Sequence, residues 1–256
     1  MSETTAGAKT LERGLALLDH VAEGAETLED LTRVSGLSRS AVHRMLTSLV
    51  QARYLSVDAQ HRYHLGLKLL QLGAHAESSI NLSAEISQIL ESISRETSDT
   101  THLGILVESD VLYLAKARGY RGIEMASRPG AKLRAQNTAM GKVLLAQRTN
   151  AEALAAFDPA FTPTPRSITT QEHFLAALDQ ARRDGYALDD QENELGITCV
   201  AIGLPDLAGD ITAAASISAP SVHMTPERIG ELVSLMQARR PELTRCLPQG
   251  FERAWI

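Results

Sequence analysis

The chain has 256 residues, 44% hydrophobic and 22% charged, with a net charge of −6. This composition excludes global disorder, and the length fits two domains of roughly 100–200 residues. No apolar run approaches the roughly 18 residues of a membrane span, residues 1–10 lack the regions of a signal peptide, and only Cys199 and Cys246 are present, without a CxxC. The expected protein is cytoplasmic, with no disulfide framework, metal or cofactor.

In chain order, Leu11, Leu15, Leu18 and Val21 recur at helical spacing before Gly24, which predicts a helix over about 11–22. Thr27 precedes Leu28, Leu31 and Val34, with Glu29 and Asp30 where a helix dipole favours acids, so a short second helix follows. Its pattern breaks at Ser35-Gly36-Leu37, and a third helix starts at Ser38 with Val42, Met45, Leu46 and Leu49 as its apolar stripe. Helix, short turn with glycine, helix is the helix-turn-helix arrangement, whose second helix enters the DNA major groove.

The positions left outside that stripe are Arg39, Ser40, His43, Arg44 and Thr47, all able to hydrogen-bond to bases or phosphates and none acidic. Residues 54–57 and 62–65 read as two strands around the turn 58–61, a wing that brings His61 and Arg62 near the phosphates; Arg13 and Ser38 complete the candidate DNA-binding set. From Arg33 to Lys68 the net charge is +5, and from Asn81 onward it is −5, so the acidic average hides a basic segment. Charge alone fits a solvated basic face equally well. A packing module without DNA would explain the apolar stripe of the third helix but not its acid-free outer positions. Thr32 stands where such motifs prefer Ala, and His20, His64 and His75 read as surface or packing residues.

Residues 65–81 continue as a connecting helix, with Leu65, Leu69, Leu72 and Ala76 on one stripe; such a helix can act as a rigid lever. The predicted domains are therefore 8–67, a linker helix 68–81, and 82–256. In the last, helices are expected over 82–97, 137–147, 171–184 and 226–239. Strands are expected over 102–107, 111–117, 123–127, 186–189, 198–204 and 211–218, with a loop at 128–133 and a Pro-rich connection at 161–165. Hairpin-linked strands with inserted helices indicate an α+β domain rather than a parallel doubly wound one. No P-loop, dinucleotide fingerprint, zinc-protease or serine-hydrolase motif is present. Cys199 lies in an apolar strand and reads as a buried thiol rather than a nucleophile, and the acidic run 189–194 reads as a solvated turn.

Several segments in order, LERGLALLDH (11–20), SGLSRSAVHRMLTSL (35–49), YHLGLKLLQLG (63–73), TAMGKVLLA (138–146), GYALDDQENELGITCVA (185–201) and ASISAP (215–220), resemble the IclR family of bacterial transcriptional regulators. The resemblance implies a winged helix-turn-helix, a linker helix and a GAF-like effector-binding domain with a mainly antiparallel sheet. It further implies a homodimer or dimer of dimers on operator DNA, more often a repressor, responding to a small-molecule effector. On the matching positions, Met125 and Leu133 would form apolar walls, although both also read as ordinary packing. Ala139 and Met140 would offer backbone N–H groups at a helix start. Asp189 would accept a hydrogen bond from a ligand hydroxyl, and Cys199, Ser216 and Ser218 would lie on neighbouring strands, the two serines sharing a face.

A small carboxylate would match this set, and the segments 100–106 and 189–201 look most like members that respond to sugar acids such as xylonate. Two stretches depart from the family pattern. Arg134-Ala135-Gln136-Asn137 replaces Pro-x-His-Ala, and Ala201-Ile202-Gly203-Leu204-Pro205 replaces the usual continuation after the strand cysteine. The leading expectation is an effector-responsive regulator and not an enzyme. The alternatives are an enzyme on a small organic acid using Cys199, with an attached DNA-binding domain, and a constitutive DNA-binding protein whose second domain only dimerises.

Overall fold

The computed structural model describes residues 6–80, 84–121, 125, 127–206 and 208–247. The chain divides into two compact units, Met1–Ile80 and Asn81–Ile256.

The first unit runs α1 (Ala6–Ala22), α2 (Leu28–Ser35), α3 (Arg39–Gln51), β1 (Leu55–Val57), β2 (Tyr63–Leu65) and α4 (Leu67–Ile80). Thr27 caps α2 by accepting from the Asp30 N–H at 3.1 Å, and Gly36 ends it at φ 65°, in the left-handed region where glycine carries no Cβ penalty. Ser38 then caps α3 through the Ala41 N–H at 3.4 Å. Thr32 fits this turn because its hydroxyl donates to the Leu28 carbonyl at 2.6 Å. Leu17, Val21, Leu31, Val42, Leu46 and Leu55 form the core.

The buried face of α1 differs from the predicted one. Gly14, Leu17 and Val21 face inward, while Leu11 and Leu15 stay 65% and 50% exposed. Along α4, Leu67 and Leu70 are 76% and 71% exposed. Between wing and α4, a Cβ on Gly66 would lie 2.2 Å from the Arg53 carbonyl oxygen, and the Gly66 N–H donates to the Tyr54 carbonyl at 2.7 Å.

The second unit runs α5 (Ala84–Thr97), β3 (Thr100–Val107), β4 (Asp110–Ala117), β5 (Lys132–Arg134), α6 (Ala139–Leu145), α7 (Asn150–Ala155), α8 (Gln171–Asp184), β6 (Tyr186–Asp190), β7 (Ile197–Pro205), β8 (Ile211–Pro220) and α9 (Pro226–Arg245). Its six strands form one sheet in the order β5-β4-β3-β8-β7-β6, every pair antiparallel. Helices α6 and α8 cover one face, and α5 and α9 pack together against the other. The first face is lined by small and apolar side chains, Tyr113, Ala187, Ala201 and Ala214, beneath Met140, Val143 and Leu144. The backbone of Ala135, just before α6, packs directly on that helix because residue 141 is glycine: a Cβ there would meet the Ala135 carbonyl oxygen at 2.1 Å.

Three features depart from expectation. Residues 128–133 run into the edge strand β5, α7 was not foreseen, and α9 continues through Pro241 to Arg245 although proline offers no N–H to the helix. Of the strand expected at 123–127, residues 123, 124 and 126 lie outside the described residues, and Met125 and Ser127 are not in a strand. No helix among the described residues is long and apolar enough to cross a membrane.

Candidate functional site

Two sites emerge, one in each unit. In the first, Arg13, Ser38, Arg39, Ser40, His43, Arg44, Thr47, His61 and Arg62 are all exposed. Ridge positions of α3 point outward because Val42 and Leu46 are drawn into the core. Among the described residues the side chains of Arg39, His43 and Arg44 make no hydrogen bond or ion pair, and only the His43 and Arg44 carbonyls are taken, by Thr47 and Ser48, so their side-chain donors are available.

Thr47, Arg62 and Ser38 are partly committed. The Thr47 hydroxyl donates to the His43 carbonyl at 2.8 Å, leaving only its lone pairs outward, and Arg62 pairs with Glu26 at 3.4 Å. Ser38 is occupied as the N-cap of α3. The wing is held by Asp58: one carboxylate oxygen accepts from the backbone N–H groups of Gln60 and Arg62 at 2.9 and 2.8 Å, the other bonds the His64 ring at 2.9 Å. Those partners, His64 first, hold the Asp58 carboxyl below its ordinary range. His64, read from sequence as incidental, is thus a wing fastener.

In the second unit a cavity of about 30 Å³ opens between the α6 face of the sheet and the start of α6, with room for one or two waters as it stands. All eight positions singled out from the sequence line it: Met125, Leu133, Ala139, Met140, Asp189, Cys199, Ser216 and Ser218. Strand register explains the convergence. Asp189, Cys199 and Ser218 stand in one row across β6, β7 and β8, and Ser216 stands opposite His102 of β3. A bulge at Leu103/Gly104 shifts the β3–β4 register, and Tyr113 of β4 completes the wall.

The sequence reading missed His102, Tyr113, Ser127 and Thr138, which also line the cavity. The His102 Nε2 lies 2.8 Å from the Ser127 hydroxyl, its Nδ1 lies 3.5 Å from both Ser216 and Ser218, and Tyr113 packs edge-on with ring centroids 5.2 Å apart. Burial first, and Lys116 second, push the His102 pKa down to about 3, so the imidazole is neutral. Burial pushes the Tyr113 phenol well up, with Cys199 and Asp189 adding to the effect. No local signal singles out His102: its place depends on the pairing of β3 with β8, which sets it opposite Ser216.

At the α6 start, the Thr138 side chain accepts from the Gly141 N–H and the Thr138 carbonyl accepts from the Lys142 N–H, each at 3.0 Å. The N–H groups of Ala139 and Met140 are left over from the helix's own pairing. The acidic run is not the solvated turn expected: Asp189 and Glu192 are only 3% and 7% exposed. Asp189 Oδ1 accepts from the Glu192 and Asn193 N–H groups at 2.8 and 3.3 Å. Burial pushes its pKa up to about 7, opposed by Lys142 and reinforced by Glu192. Glu192 forms a buried ion pair with Lys142, whose Nζ also donates to the Leu188 carbonyl at 2.8 Å.

The partly buried Cys199 thiol is raised well above its ordinary range, by burial first and then by Asp189, so it holds its proton near neutrality. Of the departures noted in the sequence, Gln136 bonds the backbone of Asp158 and Phe161, and neither it nor Asn137 lines the cavity.

A basic, exposed second helix of a helix-turn-helix and a polar cavity in a following antiparallel domain match known proteins along the chain. Residues 10–59 match the IclR helix-turn-helix domain, and residues 74–243 match the C-terminal domain of the bacterial transcriptional regulator IclR. The chain belongs to the IclR family. It is 33% identical to the HTH-type transcriptional regulator XynR of Escherichia coli over 244 residues, 93% of this chain and 97% of XynR. It is 34% identical to the E. coli regulator KdgR, covering 82% of this chain and 81% of KdgR. Among solved structures, Thermotoga maritima IclR superposes with a TM-score of 0.69 at 27% identity, covering 93% of this chain and 98% of that one. As an IclR-family member, the chain is a DNA-binding transcriptional regulator.

Proposed function

We propose that this regulator is a cytoplasmic, homodimeric repressor of neighbouring catabolic genes, controlled by a small carboxylate of the sugar-acid kind. The observation that carries this reading is the cavity under α6, walled by hydroxyls, two leftover N–H groups and Asp189. Arg39, Ser40, His43 and Arg44 would read base edges, with Arg13, His61 and Arg62 on phosphates. Leu11, Leu15, Leu67 and Leu70, exposed on α1 and α4, would supply apolar surface to a second copy. At about 30 Å³ the cavity has to widen around a hydroxy acid, and the flexible thioethers of Met125 and Met140 can give way.

Effector binding would bias the spacing of the two recognition helices of the dimer, and a coupling of about 1–3 kcal/mol would change operator affinity roughly 5–150-fold. A nucleophilic role for Cys199 is disfavoured because burial, with the Asp189 carboxyl bonded beside it, keeps its thiol protonated. The test is a thermal-shift panel of small acids followed by operator binding with and without each hit. A hit that raises the melting temperature and loosens DNA supports the reading. A normal effector response in Asp189→Ala would remove the cavity from it.

A further inference from the structure

The residues that wall the cavity bear acids and no cation. Asp189 and Glu194 line it, and among the described residues no Arg or Lys does. The two nearest lysines are turned to other partners. Lys142 is held by Glu192 and the Leu188 carbonyl, and Lys116 donates to the Met125 and Ser127 carbonyls at 3.2 and 2.6 Å. A carboxylate entering here would therefore meet the Asp189 carboxyl without a counter-cation in the wall.

Asp189 is arranged to answer that. Its Oδ1 is committed to two backbone donors, the Glu192 and Asn193 N–H groups, so a proton on this carboxyl belongs on Oδ2; the Cys199 thiol beside it also bonds the carboxyl and has Ser218 as a second partner to turn to. The groups around it act as follows. On β7 the Cys199 thiol stays protonated, on β4 the Tyr113 phenol stays protonated, and on β3 His102 is neutral. On its own strand Asp190 is paired with Arg166 at 2.7 Å, and in the following loop Glu192 is paired with Lys142 of α6, leaving Glu194 as a second negative neighbour. Burial among these groups brings the free carboxyl to about 7, where proton uptake is inexpensive at physiological pH.

Resting on the reading of this cavity as the effector site, we propose that it binds a carboxylate effector together with one proton, taken from solvent, which Asp189 carries on Oδ2 and donates to the ligand's carboxylate. Asp189 is then a specificity residue acting as a donor, opposite to the acceptor role expected from the family resemblance. It selects an anion and rejects a neutral analogue that cannot accept the charge-assisted bond.

The experiment is titration calorimetry on the full-length protein with D-xylonate, D-gluconate and glycolate and with the neutral D-xylono-1,4-lactone. Runs between pH 6 and 9, in two buffers of different ionisation enthalpy, report net proton uptake. The expected result for the acid that binds best is an affinity falling about tenfold per pH unit above about 7, with uptake approaching one proton. Asp189→Asn presents its amide Oδ1 to the same two N–H groups and so turns a permanent donor to the cavity. It is expected to bind that acid at pH 9 about tenfold or more tighter than the native chain, with no proton uptake. An acid bound with pH-independent affinity and no uptake, or the lactone bound in preference, overturns the proton-carrying role while leaving the cavity an effector site. Failure of every acid to bind overturns the effector reading and this inference with it.

Discussion

In the N-terminal unit every residue assigned to DNA is exposed and the core is wholly apolar, whereas in the C-terminal unit the polar residues around the cavity, Asp189, His102, Ser216 and Ser218, are themselves buried. A surface that reads DNA needs donors free to meet a large external partner, so its side chains stand in water and interact little with one another. A chamber for a small molecule needs its donors inside, where each polar atom requires a partner and each charge is displaced from its ordinary titration. Substitutions should consequently be local in the first unit and propagate in the second.

The sharpest way to break that contrast is Lys142→Ala, which leaves Glu192 buried without its cation. A stability loss of about 3–5 kcal/mol is expected in urea unfolding followed by circular dichroism, and a loss under about 1 kcal/mol would place this pair with ordinary surface pairs. Next in size are two opposed pH dependences. The unfolded chain protonates His102 near 6.5 and the folded chain only near 3, so acid costs stability across that window. Asp189 is protonated up to about 7 when folded and only up to 3.8 when unfolded, so stability is lost as pH rises between those values. Each slope is about 1.4 kcal/mol per pH unit, and they nearly cancel in the native chain. His102→Gln should therefore grow more stable as pH falls from 7 toward 4, while Asp189→Asn should lose stability below 6.5; parallel profiles would show that neither group is displaced.

On the reading side, Arg44→Ala should weaken binding to an operator selected from random DNA by about 1–3 kcal/mol, measured by fluorescence anisotropy. Its folding stability should move by no more than about 0.5 kcal/mol. Smallest is Thr27→Ala, which removes the cap of α2 and should cost about 1 kcal/mol with the cavity's ligand response intact.

What could be read from the sequence follows the range of the interactions. The turn at Gly36 and the outward positions of α3 rest on contacts within four residues, so periodicity and capping sufficed to place them. The face of α1 was misread because the helix carries two apolar stripes, one through Leu11, Leu15 and Leu18 and one through Leu17 and Val21, and only tertiary packing decides between them. In the second unit, Asp189, Cys199, Ser216 and Ser218 were placed together through family resemblance rather than pattern. His102 and Tyr113 join them only through the pairing of β3 with β8 and the bulge opposite β4, which no local signal encodes. The burial of the acidic run was equally hidden: six polar residues in a row read as a solvated turn, yet Lys142 lies 50 positions before its partner Glu192.

The closeness of Gly66 to Arg53 has a mechanical consequence. Backbone packed against backbone at that point, with the adjoining N–H groups of Gly66 and Lys68 bonded to Tyr54 and Arg53, leaves no slack between the end of the wing and the first turn of α4. A hinge cannot sit there. Recognition helix, wing and the root of α4 are held as a single piece, so a regulatory signal that reaches this unit would re-aim the whole reading head.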